Sequence, residues 1–144
     1  MKGTHPVQYK IGKPFGVVVS VLSALMLSGC GGQGVCDDAE VLEMVRKLYA
    51  QGVLGQFTEA PEGAFTPQQK SATLVSVDKQ SNITKCSTLV RADYVVLAKM
   101  VQKATDKELR ENAAKKGMAT FEDFLVNYQV QPLASGQNYV TLLR

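Results

Sequence analysis

Residues 15–27 (FGVVVSVLSALML) form an unbroken apolar or small-residue run, and the segment before it carries Lys2, Lys10 and Lys13 with no acid. A cationic lead followed by a short apolar run is the layout of a secretory signal. As a helix rising ~1.5 Å per residue the run reaches only about 20 Å, short of the ~30 Å hydrocarbon core of a bilayer. A permanent membrane span is therefore not expected, and residues 1–29 are expected to be an export signal peptide. What must fold is then the 115 residues from position 30 onward, enough for one domain with a real core.

The apolar run ends in Leu27-Ser28-Gly29-Cys30. An aliphatic residue, two small residues and a cysteine in that order resemble the lipobox of bacterial envelope lipoproteins. The resemblance implies cleavage before Cys30, transfer of a diacylglycerol to its thiol, and usually an N-acyl chain of the palmitate type. Two or more chains are what stable anchoring requires, because a single chain binds only marginally. Position 31 is Gly, whereas lipoproteins retained at the inner membrane carry Asp there, so the resemblance implies the outer membrane, periplasmic face. Residues 30–35 are then a lipidated tether, whose Gly31-Gly32-Gln33-Gly34-Val35 would reach about 12 Å as flexible chain. Residues 36–144 are expected to be a single periplasmic domain.

Export changes the meaning of the composition. The whole chain has sixteen bases, thirteen acids and a net charge of +3. Three of the bases belong to the leader, so the remainder is balanced, and nucleic acid is not an expected partner. The lone histidine, His5, also lies in the leader. With it goes any Ser-His-Asp or Cys-His catalytic set. Cys36 and Cys86 remain after lipidation of Cys30, and an oxidising compartment predicts a disulfide between them. Closing a loop of that length is worth roughly 4 kcal/mol in the chain-entropy model.

Periodicity supplies the elements. From Cys36 the sequence CDDAEVLEMVRKLYAQG reads as an amphipathic helix capped by Asp37 or Asp38, with Val41, Val45 and Leu48 in one stripe and Gly52 as the expected stop. Residues 55–70, with Pro61, Gly63 and Pro67, read as a loop pinned to the domain by Phe57 and Phe65, which makes those two the candidate binding residues. Residues 71–78 and 83–91 are β-branched runs around a turn-like Lys79-Gln80-Ser81-Asn82, and so an antiparallel hairpin. Residues 92–104 fit strand or helix equally. Residues 106–116 read as a solvated helix capped by Asp106, with Asp106/Arg110 and Glu111/Lys115 as i,i+4 pairs. Residues 121–132 place Phe124, Val126, Tyr128 and Val130 on one face, and a turn at 134–137 returns the chain through 138–143.

The expected fold is therefore α+β: an N-terminal amphipathic helix on an antiparallel sheet of about four strands in two hairpins, plus a second helix. Its close, Tyr128-Gln129-Val130, a turn and Tyr139-Val140, resembles the last strands of small cystatin-like and NTF2-like envelope lipoproteins. The pairs Asp37/Asp38 and Glu122/Asp123 read as a helix cap and a strand entry rather than as a two-carboxylate catalytic site. No catalytic residue, metal ligand or cofactor is assigned. The chain reads as a non-catalytic binding or assembly module for a protein partner in a secretion, conjugation or cell-wall system. The alternative is an inhibitor or immunity lipoprotein that blocks a hydrolase.

Overall fold

The computed structural model describes residues 33–144. Residues 1–29, expected to be an export signal, and Cys30 lie outside the described residues. The expected tether is already helical from Gln33, where Gln33–Cys36 makes a single turn, α1. Val35 packs on the core and Cys36 is fully buried, so burial rather than helix propensity holds this turn.

Helix α2 spans Ala39–Leu54. Asp38 is its cap: one carboxylate oxygen accepts the N–H groups of Glu40 at 3.0 Å and Val41 at 3.1 Å, satisfying donors that the first turn leaves open. Val41, Leu42, Val45 and Ala50 are its buried stripe. The helix passes through Gly52, the expected stop, and ends at Gly55, where φ is +94°. Only Gly55 has the backbone that side chains disfavour.

The sheet has five strands, all antiparallel. They are β1 (Phe65–Pro67), β2 (Thr73–Asp78), β3 (Ile83–Asp93), β4 (Phe121–Pro132) and β5 (Asn138–Leu143). Both expected hairpins, β2–β3 and β4–β5, are present, and β1 is the additional strand. Long β3 is the spine. On one side β2 covers residues 83–87 and β1 covers 90–92; on the other, β4 pairs with it from Thr84↔Val130 to Asp93↔Phe121. Strand β5 pairs only with residues 127–132 of β4.

Between β1 and β2 the ladder along β3 is interrupted at Thr88 and Leu89. A 3₁₀ turn, Gln69–Ser71, fills the gap with side-chain chemistry. Leu89 donates its N–H to Ser71 Oγ at 2.8 Å and accepts from Gln68 N–H at 2.8 Å. Ser71 Oγ in turn donates to the Gln68 carbonyl at 2.7 Å and lies 3.0 Å from the hydroxyl of Thr88. Thr88 is fully buried, and these contacts satisfy it.

Alternation puts Cys86, Val90 and Ala92 of β3, Val126, Tyr128 and Val130 of β4, and Val140 of β5 on one buried face. Helix α2 lies over that face and packs against β5 and β1, as the amphipathic stripe predicts. Each such Val side chain contributes about 1.5–3 kcal/mol when fully buried.

The undecided stretch 92–104 is strand and then helix: Ala92 and Asp93 finish β3, and the chain turns helical at Tyr94. Helix α3 spans Tyr94–Ala98, capped by Asp93, whose carboxylate accepts Val95 N–H at 2.9 Å and Val96 N–H at 3.2 Å. Helix α4 spans Asp106–Lys115 and is capped by Thr105 rather than Asp106. Thr105 Oγ1 accepts Glu108 N–H at 3.3 Å while the Glu108 carboxylate accepts Thr105 N–H at 2.8 Å, a reciprocal box. Neither expected i,i+4 pair forms: Glu111 meets Lys107 at 3.9 Å rather than Lys115, and Asp106 and Arg110 take tertiary partners. Asp106 bonds Lys99 at 2.6 Å and Arg110 bonds Asp93 at 3.1 Å.

Candidate functional site

The two ends of the sheet differ in chemistry. At the end where the described chain begins, Cys36 and Cys86 are disulfide-bonded with their Cα atoms 5.7 Å apart. Beside the bridge, the fully buried Tyr128 donates its hydroxyl to the carbonyl of Cys36. Burial, aided by the Asp37 carboxylate, pushes the Tyr128 phenol up to about 12. Cys36, Cys86 and Tyr128 are all buried at this junction, and the phenol is paired. The junction fastens the start of the described residues to β3 and β4.

A groove of about 890 Å³ lies elsewhere, between α2, residues 56–63 and β1. Phe65, at its floor, pairs with Ala92, six positions along β3 from Cys86. At ~3.3 Å per residue that is about 20 Å from the disulfide. One wall is the exposed flank of α2, Glu43, Arg46, Lys47 and Gln51; the other carries Phe57, Glu59 and Glu62. The Arg46 guanidinium forks onto Glu43 with two contacts of 2.7 Å and holds that carboxyl below its usual range.

The two candidate phenylalanines part company here. Phe57 is wholly exposed at 101% and does not pin the loop. Phe65 is 2% exposed, meets the Tyr49 ring edge-on at 5.4 Å and belongs to the core. It pins this segment to the domain, as expected, and presents little surface to the groove it underlies. Reading residues 55–70 as one loop missed a three-residue strand, because Pro67 looks like loop punctuation yet sits at a strand end, where no ladder N–H is needed.

The carboxylate pairs do separate work. Asp38 caps α2, and the Asp37 carbonyl accepts the side-chain amide of Gln69 at 2.9 Å. Glu122 accepts the Tyr94 hydroxyl at 2.6 Å, while Asp123 takes the fork of Arg91 at 2.8 and 2.9 Å. Consecutive residues of a strand project to opposite faces. Glu122 and Asp123 thus cannot address one substrate from the same side. Arg91 also stacks 4.4 Å over the ring of Phe121 on the outer face, and it holds Asp123 below the ordinary carboxylate range. None of these ion pairs was named from sequence; the signal available was a lone Arg in one β-run and a lone Asp in another, whose register was not fixed.

A second, smaller cavity of about 170 Å³ lies between α3 and α4, bounded by Val95, Ala98, Leu109, Ala113 and Met118. Among the described residues no cluster of three or more His, Cys, Asp or Glu could hold a metal ion, and no helix is long and apolar enough to cross a membrane. No family model, curated protein or solved structure matches the chain.

Proposed function

We propose that the protein is a membrane-anchored envelope lipoprotein whose folded domain binds another protein as part of an envelope assembly. The observation that carries the reading is the N-terminal pattern: three lysines, the apolar run at 15–27, and Leu27-Ser28-Gly29-Cys30. In this reading Cys30 is the lipidated residue, residues 1–29 are removed, and the domain sits at the periplasmic face of the outer membrane.

The layout of the domain supports a binding role at its far side. With Gln33–Cys36 helical and packed, only Gly31 and Gly32 separate Cys30 from the folded domain, so it would be held close to the lipid. The groove beside Phe57 is about 20 Å along the sheet from the anchored end, and a bare aromatic with charges around it is the composition of a protein-binding anchor point. The alternative, an inhibitor of a hydrolase, would use the same loop.

The test has two arms. Cys30→Ser should abolish membrane partition and leave uncleaved precursor; a processed, soluble product overturns the anchor. The lipidated chain should retain one envelope protein from a detergent extract, and Phe57→Asp should lose it. Retention of a hydrolase whose activity falls on binding favours the inhibitor reading, and retention unaffected by Phe57→Asp removes the groove from the proposal.

A further inference from the structure

Among the described residues the sheet has three open edges, and they are not equally defended. Exposed strand edges offer unpaired N–H and C=O groups to other chains, and proteins blunt them with short strands, bulges, Pro or charge. On the β3 side the edge is split into two pieces. The β2 piece has a register shift between Leu74 and Ser76 and ends on Asp78, and the β1 piece ends on Pro67. Residues 121–126 of β4, left open where β5 stops, carry Glu122 and Asp123. The outer edge of β5 has none of these devices. Asn138–Leu143 (NYVTLL) has no charge and no Pro, and its register on β4 runs without a break.

The pairing of β5 fixes which of its groups face outward. Pro132 has no N–H, so Pro132↔Asn138 is a non-hydrogen-bonded pair, consistent with Leu133 donating to Gln137 at 2.8 Å. Alternation then turns Tyr139, Thr141 and Leu143 toward β4 for their backbone bonds. The N–H and C=O groups of Asn138, Val140 and Leu142 point out of the sheet.

We infer that this edge pairs with the same edge of a second copy, antiparallel about a twofold axis through Thr141. In that register Val140 meets Leu142 of the other copy and both exchange backbone hydrogen bonds. On the outer face Thr141 meets its own mate, and Tyr139, 57% exposed, meets Leu143. No like charges oppose each other along β5. Threonine pairs and aromatic–aliphatic pairs are favourable across strands, and an isologous contact of this kind closes at two copies. The axis is perpendicular to the sheet, so both α2 helices and both Gln33 ends stay on one side of a continuous ten-stranded sheet. The contact is small, of the weak class, and dimerisation is concentration-dependent. It does not depend on the anchor or on the Phe57 groove.

The full chain purified in detergent tests this by register. Thr141 pairs with itself at a non-hydrogen-bonded position, where Cα atoms lie about 4.5 Å apart and a disulfide can form. Thr141→Cys should therefore oxidise to a species of twice the mass. Tyr139→Cys and Leu143→Cys, each about 13 Å from its own mate, should not do so alone but should cross-link when mixed. A monomer at all concentrations, equal cross-linking by all three variants, or cross-linking of Thr141→Cys to a different protein overturns the inference. Thr141→Lys, which sets two ammonium groups against each other, should leave melting unchanged and abolish the dimer seen by sedimentation. A dimer that survives it equally overturns the proposal.

Discussion

The N–H of Leu89 donates to the hydroxyl of Ser71 at 2.8 Å. A side chain thus takes the place of the backbone partner that β3 lacks between β1 and β2. Replacing a ladder carbonyl by one hydroxyl makes a stretch of central strand depend on a single residue. Ser71→Ala leaves the Leu89 N–H without its acceptor and removes a neighbour of the buried Thr88 hydroxyl. The expected cost is about 1–3 kcal/mol, read as a lowered denaturant midpoint at unchanged slope.

Opening the Cys36–Cys86 bridge should cost more. Cys36→Ala, or reduction of the native protein, removes the cross-link over a separation of 50 residues, roughly 4 kcal/mol in the chain-entropy model. The check is thermal melting with and without reductant. The native protein should fall to the level of the variant, and the variant should not respond to reductant at all.

Burial of Tyr128 predicts an alkaline limit. Its phenol is raised from 10 to about 12 in the folded protein, so the folded state keeps a proton that the unfolded chain releases. The stability associated with the neutral phenol is fully present below pH 10 and is lost as pH rises toward 12, a total of about 3 kcal/mol at ~1.4 kcal/mol per unit. Tyr128→Phe should flatten that decline. It should also cost about 1 kcal/mol at neutral pH, through the lost bond to the Cys36 carbonyl.

An acid limit arises at the junction of β3, α3 and α4. Burial raises the Asp93 carboxyl, but the N–H groups of Val96 and Val95 and the Arg110 guanidinium outweigh it and hold it below its usual value. Its contribution is present above the ordinary carboxylate range and lost as pH falls through the depressed value. Asp93→Asn should destabilise the protein at pH 7 and less so at pH 3, measured by urea unfolding at both.

Gly52 offers a gain. It lies within α2 with nothing within 4 Å of where a Cβ would stand and without a positive φ. Gly52→Ala should stabilise by about 0.5–1 kcal/mol, visible as a raised melting temperature. Gly55→Ala, at φ +94°, should do the opposite.

The architecture was legible wherever periodicity was sustained. The Val41, Val45 and Leu48 stripe identified α2, and alternation from Phe124 to Val130 identified both β4 and its buried face. Legibility failed where tertiary partners decide. Phe65–Pro67 becomes a strand only because the end of β3 offers it a partner, and Gly52 stays helical because α2 is packed on both sides of it in sequence. Thr105 outcompetes Asp106 as a cap because Glu108 can answer it from the next turn. For the site, both phenylalanines were expected to pin the loop to the domain, which Phe65 does and the wholly exposed Phe57 does not. A phenylalanine among prolines and glycines carries no periodicity to say which way it points.

The bridge to β3 also decides how the molecule carries mechanical load. A pull entering the domain at α1 reaches Cys36 and crosses the Cys36–Cys86 bond directly into the central strand, whence it spreads through the β3–β4 ladder. Helix α2, the Phe57 loop, β1 and β2 lie within the covalent loop and off that path. A protein tugged from its N-terminal side would keep its groove in shape while the sheet bears the strain.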